Sequence, residues 1–368
     1  MATREEILSK LELLGDSFKE VLYYEDDDAF LNRNVWVEGS DTENALKFIK
    51  WDWFHGVGLY GFWKLYKQTK NPKYLDIMTQ YYDERIKEGL PDKNVNSTAP
   101  LLTLAFLYEE TKNEAYLPVI KEWSEWLMNG LAKTPEGGFQ HTTSASYNKG
   151  ELWDDTLFMT VLFLTKAGLL FEKEEYIQEA AYQFMVHTKY LADKKTGLWF
   201  HGWTFEGDHN FANALWARGN SWITISTVEF LEMTQMKDGA IKKFLLEGLK
   251  KQMASLKEYQ HPENGLWYTI INETDNYVEA SGSAGFAFGM LKASRLGLVD
   301  EEYYEVGEKA IDELLNLIDE KGMVHQVSIG TPMGVDLVFY KNIGIEPMSY
   351  GQALVMLCLV EKLTSKEN

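Results

Sequence analysis

The chain has 368 residues, 45% hydrophobic and 14% aromatic, and its 36 Lys and Arg face 56 Asp and Glu for a formal charge of −20. That apolar content builds a sizeable core and excludes a disordered chain, while the acidic surface repels nucleic acid and anionic membranes. No apolar run reaches membrane-spanning length without polar interruption, the start Met1-Ala2-Thr3-Arg4-Glu5-Glu6 has no apolar h-region, and the one cysteine, Cys358, can build neither an internal disulfide nor a thiolate metal site. A cytoplasmic protein without a metal or cofactor is expected.

From the start, Ile7, Leu11, Leu14, Phe18 and Leu22 recur at helical spacing and predict an amphipathic helix over Arg4 to Tyr24. The acidic run Glu25-Asp26-Asp27-Asp28 reads as a solvated surface. Asp41 or Thr42 is expected to cap a second helix that continues through Trp51, Trp53, Val57 and Leu65. Within it, packing explains the aromatics but not Asp52 and His55 beside them. Asn71-Pro72 starts a third helix, which ends near Gly89. Asn96, Ser97 and Thr98 lead into an apolar helix over Leu101 to Tyr108, and a fifth runs from about Asn113 to Leu131.

Trp153-Asp154-Asp155 opens an apolar stretch, Thr156 to Leu170, that reads as a buried helix. Carboxylates at the edge of a buried helix are costly unless they are used or paired. They could also be plain N-terminal charges that favour the helix dipole. An amphipathic helix follows over Lys173 to Leu191. Trp216-Ala217-Arg218-Gly219-Asn220-Ser221-Trp222 leads into another apolar helix, and a polar helix covers Asp238 to Tyr259. The small residues of Glu279 to Gly285 permit close helix packing. Glu301 to Ile318 is polar and helical, and Ser349-Tyr350 opens the last apolar helix.

Glycine turns at Gly137, Gly197, Gly265 and Gly322 recur at roughly 60-residue intervals, a repeat period. Each repeat pairs one charge-rich amphipathic helix with one mostly apolar helix, roughly twelve helices in all. A helix apolar all round is buried and an amphipathic one faces solvent on one side. Two concentric rings satisfy both, so the expected fold is all-α, an (α/α)6 barrel forming one domain over residues 1–368. An open solenoid of helix pairs fits the apolar set poorly.

In such a barrel the N-terminal ends of the inner helices gather at one mouth. Those ends carry Asp52, Trp53, Asn96, Trp153, Asp154, Asp155, Trp216, Arg218, Trp222, Glu279 and Tyr350, and the preceding turns add His141 and His201. Capping accounts for Asn96 or Glu279. It does not account for Trp and His in their company. Trp in a concave site suits a sugar, since the ring offers a flat apolar face at little entropy cost.

Four segments, Trp153-Asp154-Asp155-Thr156-Leu157-Phe158-Met159, Gly197 to Trp203, Trp216 to Trp222 and Glu279 to Ala284, resemble glycoside hydrolase family 105, the unsaturated rhamnogalacturonyl hydrolases. The resemblance extends from Trp53 to Tyr350. It implies a substrate with a 4,5-unsaturated galacturonic acid at its nonreducing end and a reaction that hydrates the double bond. Protonation at C4, addition of water at C5 and opening of the resulting hemiketal release the aglycone. One carboxyl can donate the proton and then deprotonate water, so one suffices, whereas most glycosidases need two. By the same resemblance Asp155 is the catalytic acid/base. Asp52, Trp53, Asn96, His141, Trp153, His201, Trp216, Arg218 and Trp222 are the expected substrate-binding residues.

A general acid must keep its proton near neutral pH. Desolvation by Trp153 and Trp222 and the substrate carboxylate are expected to raise Asp155 above its usual range when substrate is bound. Arg218 is the natural counterion for the uronate; the competing reading pairs it with Asp154 or Glu279 as a brace. Three alternatives remain: an unsaturated glucuronyl hydrolase like those of family 88, a sugar epimerase using His141 and His201 as acid and base, and a sugar-binding barrel without catalysis. Oligomeric state and aglycone stay open.

Overall fold

Outer helices of this chain carry apolar residues on one face only, and inner helices carry them on all faces. The computed structural model describes residues 2–23 and 47–365; the acidic run at Glu25 to Asp28 and the expected caps Asp41 and Thr42 lie outside the described residues. Helix α1 (Arg4–Leu22) buries Ile7, Leu11, Leu14 and Phe18 along one stripe and is capped by Thr3, whose side chain accepts from the Glu6 amide. Residues 47–50 are helical, but the expected continuous second helix is interrupted at Trp51 and Asp52, and α2 starts afresh at Trp53 (Trp53–Thr69).

The chain continues through α3 (Pro72–Glu88), the short α4 (Val95–Thr98), α5 (Pro100–Thr111) and α6 (Leu117–Asn129). A π-helical turn (Leu157–Val161) runs into α7 (Leu162–Leu170), followed by α8 (Glu174–Leu191), α9 (Ala217–Thr234), α10 (Ala240–Tyr259) and α11 (Ala280–Arg295). The expected helix over Glu301 to Ile318 is split at Ala310 into α12 (Glu302–Lys309) and α13 (Ile311–Asn316). A short α14 (Leu337–Lys341) precedes the last helix, α15 (Ser349–Ser365).

Six of these close a ring, each packed on the next: α2, α5, α7, α9, α11, α15 and back to α2. The outer layer is α1, α3, α6, α8, α10 and the α12–α13 pair, each lying against the inner helices beside it. The architecture is the expected (α/α) barrel, with no closed β-sheet among the described residues. The small residues of α11 work as foreseen. A Cβ on Gly285 would sit 2.7 Å from the Ser221 Cβ, and one on Gly289 would collide with Thr224, so α9 and α11 meet nearly backbone to backbone.

The repeating turns are one device used four times. Gly137, Gly197, Gly265 and Gly322 all adopt φ between 73° and 77°. At Gly197 the Gly197 amide donates to the Asp193 carbonyl while the Asp193 amide donates to that of Leu198. The left-handed backbone this requires is strained for any residue with a Cβ. Each turn sends the chain from an outer helix back toward the mouth.

At the mouth three two-stranded ribbons connect the repeats: β1 (Glu151–Trp153) with β2 (Gly202–Thr204), β3 (Trp267–Tyr268) with β4 (Val278–Glu279), and β5 (Val327–Ser328) with β6 (Ile345–Glu346), all antiparallel. Toward the other end, the inner helices enclose charge. Lys292 and Glu229, both fully buried, pair at 2.6 Å, and the Tyr60 hydroxyl donates to Glu229 at 2.7 Å. Lys64, Glu232, Arg295 and Glu361 extend the network.

Candidate active site

The turn between β1 and the π-helical segment sets the two carboxyls apart. Asp154 and Asp155 occupy consecutive turn positions. The Phe158 and Met159 amides both donate to the Asp155 carbonyl, at 3.1 Å each, as the widened π turn begins. Such turns are frequent at functional sites because the extra residue re-aims side chains. The Asp154 side chain is fully buried, and it lies against α9 so closely that a Cβ on Gly219 would collide with it. Asp155 keeps 18% of its side chain exposed, with Oδ2 3.4 Å from His201 Nε2.

A chain of ring contacts builds the wall around Asp155. His141 stacks on Trp153 at 4.4 Å and 3°, and its Nδ1 bonds to the Thr156 hydroxyl at 2.8 Å. The Trp153 indole N–H donates to Glu151 at 2.8 Å, and its ring meets His201 edge-on at 5.1 Å. Trp216 lies 4.5 Å from His201. Arg218 then sits between Trp216 at 4.5 Å and Tyr350 at 4.6 Å, Tyr350 stacks on Trp53 at 4.8 Å, and Trp53 meets Trp222 edge-on at 6.0 Å. The structure thus brings together His141, Trp153, Asp155, His201, Trp216, Arg218, Trp53 and Trp222. Of these, His141, His201, Trp216, Arg218 and Trp222 are buried, while Trp53, Trp153 and Asp155 are half-buried.

Asp52 and Asn96 stand outside that chain of contacts. Asp52 caps α2: its carboxyl accepts from the Trp53 amide at 2.6 Å, and its own amide donates to His55 Nδ1 at 3.1 Å. This reciprocal cap is the reason Asp52 and His55 accompany the aromatics. Burial, opposed by the Trp53 amide, pushes the Asp52 carboxyl up to about 7. Asn96 is half-buried on α4, which packs on the π turn.

Arg218 is 2% exposed and has no carboxylate within 4.0 Å among the described residues. Its Nη1 donates to the Ser328 carbonyl (2.7 Å), the Ser328 hydroxyl (2.6 Å) and the Ser281 hydroxyl (3.3 Å). Its Nη2 donates to the Ile329 carbonyl (3.0 Å) and Thr331 Oγ1 (3.3 Å). The brace to Asp154 or Glu279 is therefore not how it is held. Glu279 instead caps α11, accepting from the Ser281 and Gly282 amides.

Arg218 thus grips a strap, Ser328 to Tyr340, that sequence reasoning did not single out. The strap's far end closes on the same site: the Tyr340 hydroxyl lies 2.7 Å from His201 Nδ1 and accepts from the Gly334 amide at 3.1 Å. Thr156 was also missed. The signal was present, for Ser328-Ile329-Gly330-Thr331-Pro332-Met333-Gly334 is a long non-helical run after the last Gly turn, where a helix would have been due.

The electrostatics separate the two carboxyls. Burial and the neighbouring Asp155 charge hold Asp154 well above the usual carboxylate range. Burial also works to raise Asp155. The hydrogen bond and charge of His201, with His141 and Asp154, outweigh it and hold Asp155 below its usual value. The upward shift expected of Asp155 on substrate binding would thus start from a carboxyl held low, beside a neighbour that is held high. Of the two neighbouring carboxyls, the proton is therefore favoured on Asp154 over Asp155. Burial pushes His141 down to about 3, so its imidazole is neutral. Asp154, Asp155 and His201 each offer one ligand atom, all within 4.8 Å of one another, and are the residues that could hold a cation. What the set does without one is proton chemistry: two adjacent carboxyls of unequal proton affinity, an imidazole beside them, and a guanidinium within an aromatic wall.

Residues 32–366 match the sequence profile of Glycosyl Hydrolase Family 88. The unsaturated rhamnogalacturonyl hydrolase YesR of Bacillus subtilis is 30% identical over 321 residues, covering 86% of this chain and 91% of that protein. A crystal structure from Salmonella enterica serovar Paratyphi A, described as a possible member of the GH105 family, is 43% identical with a TM-score of 0.92, over 100% of this chain and 96% of that one. The unsaturated glucuronyl hydrolase of Bacillus sp. GL1, responsible for the degradation of glycosaminoglycan, has a TM-score of 0.71 at 16% identity, over 97% and 96% of the two chains. At that identity the likeness is one of fold.

Proposed function

Because the chain belongs to Glycosyl Hydrolase Family 88 and its GH105 relatives, the unsaturated rhamnogalacturonyl and glucuronyl hydrolases, we propose that it hydrates the double bond of an unsaturated galacturonyl residue. The substrate would be a rhamnogalacturonan-derived disaccharide, and hydration would release the terminal uronyl sugar. The observation that carries this is Asp155, partly exposed, 3.4 Å from His201 inside a wall of Trp53, Trp153 and Trp216.

In this reading Asp155 is protonated in the complex and gives that proton to C4. Positive charge builds at C5 and the ring oxygen, and the Asp155 carboxylate then takes a proton from the water that adds at C5. The C5 hemiketal opens and the aglycone leaves. The half-buried Trp153, one face of which His141 covers, would stack on a sugar through its other face, while the buried Trp216 would back His201 and Arg218. Arg218 would balance the uronate, directly or through the Ser328 to Thr331 backbone it holds in place. Galacturonyl is favoured over glucuronyl because YesR, the relative named for rhamnogalacturonyl substrates, matches at 30% identity across most of the chain. An epimerase working through His141 and His201 fits less well, since His141 is stacked on Trp153 and bonded at Nδ1.

The test is ultraviolet absorbance of the conjugated uronate during incubation with unsaturated rhamnogalacturonan disaccharide, with the glucuronyl analogue in parallel. Loss of absorbance on the first substrate supports the reading. Loss only on the second moves the specificity to glucuronyl. No loss on either sinks it.

A further inference from the structure

Tyr340 belongs to no segment that pointed to the site, yet it is 1% exposed and reaches His201 across 139 positions of chain. A phenol has one proton to give. The Tyr340 oxygen accepts from the Gly334 amide at 3.1 Å, and two neighbours remain for its proton: His201 Nδ1 at 2.7 Å and the weakly accepting Met333 sulfur at 3.6 Å. If the phenol donated to sulfur, His201 would carry its own proton on Nδ1. A lone pair on Nε2 would then face the Asp155 carboxylate at 3.4 Å, which is repulsive. For a neutral His201 ring, the arrangement that satisfies every group has Tyr340 donating to Nδ1 and the His201 proton on Nε2, aimed at Asp155; an imidazolium would instead carry a proton on Nδ1.

We propose that Tyr340 is a positioning residue for the double-bond hydration, which through His201 fixes the hydrogen bond received by Asp155; this rests on the hydrolase reading above. The strap gives the device its purpose. Arg218 holds the strap at Ser328, Ile329 and Thr331. A Cβ on Gly202 would collide with Met333, so that side chain is wedged against β2. Tyr340 then closes the far end. Only with the strap seated does His201 have a donor at Nδ1, so seating the segment that Arg218 holds and orienting the group beside Asp155 become one event.

The test combines ring-nitrogen NMR of the histidines with kinetics of Tyr340→Phe, the His201 signals being assigned by comparison with His201→Gln. The wild-type protein is expected to show His201 protonated on Nε2 and bare on Nδ1. In Tyr340→Phe, Nδ1 gains a proton in part of the population, and kcat falls about 10-fold or more, the scale on which a group orienting a reactive residue acts, with KM within about 2-fold. A wild-type His201 protonated on Nδ1, or a Tyr340→Phe enzyme with kcat unchanged, overturns the proposal. The NMR arm needs no substrate. A wild-type protein with the stated tautomer but no activity on any unsaturated uronide defeats the hydrolase reading and leaves the tautomer assignment standing. The wild-type spectrum decides the proton's place even if the variant folds poorly.

Discussion

Asp155 Oδ2 lies 3.4 Å from His201 Nε2, longer than a good charge-assisted bond, while its neighbour Asp154 is sealed against Gly219 with neither carboxyl oxygen hydrogen-bonded. Catalytic hydrogen bonds are often long before substrate arrives and tighten in the complex. Asp155→Asn keeps the shape and removes both the acid and the base. Its kcat should fall at least about 10³-fold, with disaccharide binding by calorimetry largely kept. An Asp155→Asn enzyme within about 10-fold of wild type would remove Asp155 from the centre of the mechanism.

Asp154 should be felt in the pH profile. In the wild type burial and the adjacent charge raise Asp154 while His201 lowers Asp155, so the proton is favoured on Asp154. In Asp154→Asn the only titrating carboxyl is Asp155, held low. The protonated form is then scarce at neutral pH, so the alkaline limb of kcat/KM should move to lower pH. An unchanged profile would mean that Asp154 holds no proton the reaction uses.

The same substitution should raise stability. A buried Asp whose folded pKa is raised binds its proton more tightly folded than unfolded. Its contribution is therefore complete below the unfolded value, near ~3.9, and is lost as pH rises above it. Asp154→Asn removes that loss. Melting temperature should rise by a few degrees at pH 7 to 8, with a smaller gain at pH 5. A function-bearing group held at a cost to stability predicts this opposition of activity and stability.

The barrel was legible because its period was legible: charge-rich and apolar helices alternate, and Gly137, Gly197, Gly265 and Gly322 mark the returns with one backbone conformation. The gathering of Trp153, Asp155, Trp216 and Arg218 followed from their places at helix starts, and that of His141 and His201 from the turns before them. What sequence could not show was long-range pairing outside the repeat. The Ser328 to Tyr340 strap has neither helical nor alternating spacing. Tyr340 meets His201 from one end of the strap, while Arg218 holds the other. The break at Trp51 was hidden too, since the Asp52–His55 cap lies inside a run of aromatics that reads as uninterrupted helix.

Arg218 offers a sharper prediction than a generic counterion would. Its fork holds two carbonyls and three hydroxyls while its plane lies between Trp216 and Tyr350. Lys supplies charge but neither the fork nor the stacking plane. Arg218→Lys should therefore lose nearly as much kcat/KM as Arg218→Met, about 10²-fold or more, a loss on the scale of one or more charged hydrogen bonds. A Lys variant close to wild type would show that charge alone matters and that the strap is held by other means.

The far end of the barrel tests the fold apart from the chemistry. Glu229 and Lys292 are both fully buried and paired at 2.6 Å, with Tyr60 and Lys64 as further donors to Glu229. Removing one partner strands the other charge. Lys292→Met should cost about 3–5 kcal/mol in denaturant unfolding, whereas replacing both partners by apolar residues of similar volume is expected to recover much of that loss. Catalysis at the opposite mouth should persist in whatever fraction stays folded, with KM unchanged. A Lys292→Met protein as stable as wild type would mean that Lys64 alone neutralises Glu229. The Lys64→Met, Lys292→Met double variant would then have to show the loss, because no other cation is bonded to that carboxylate among the described residues.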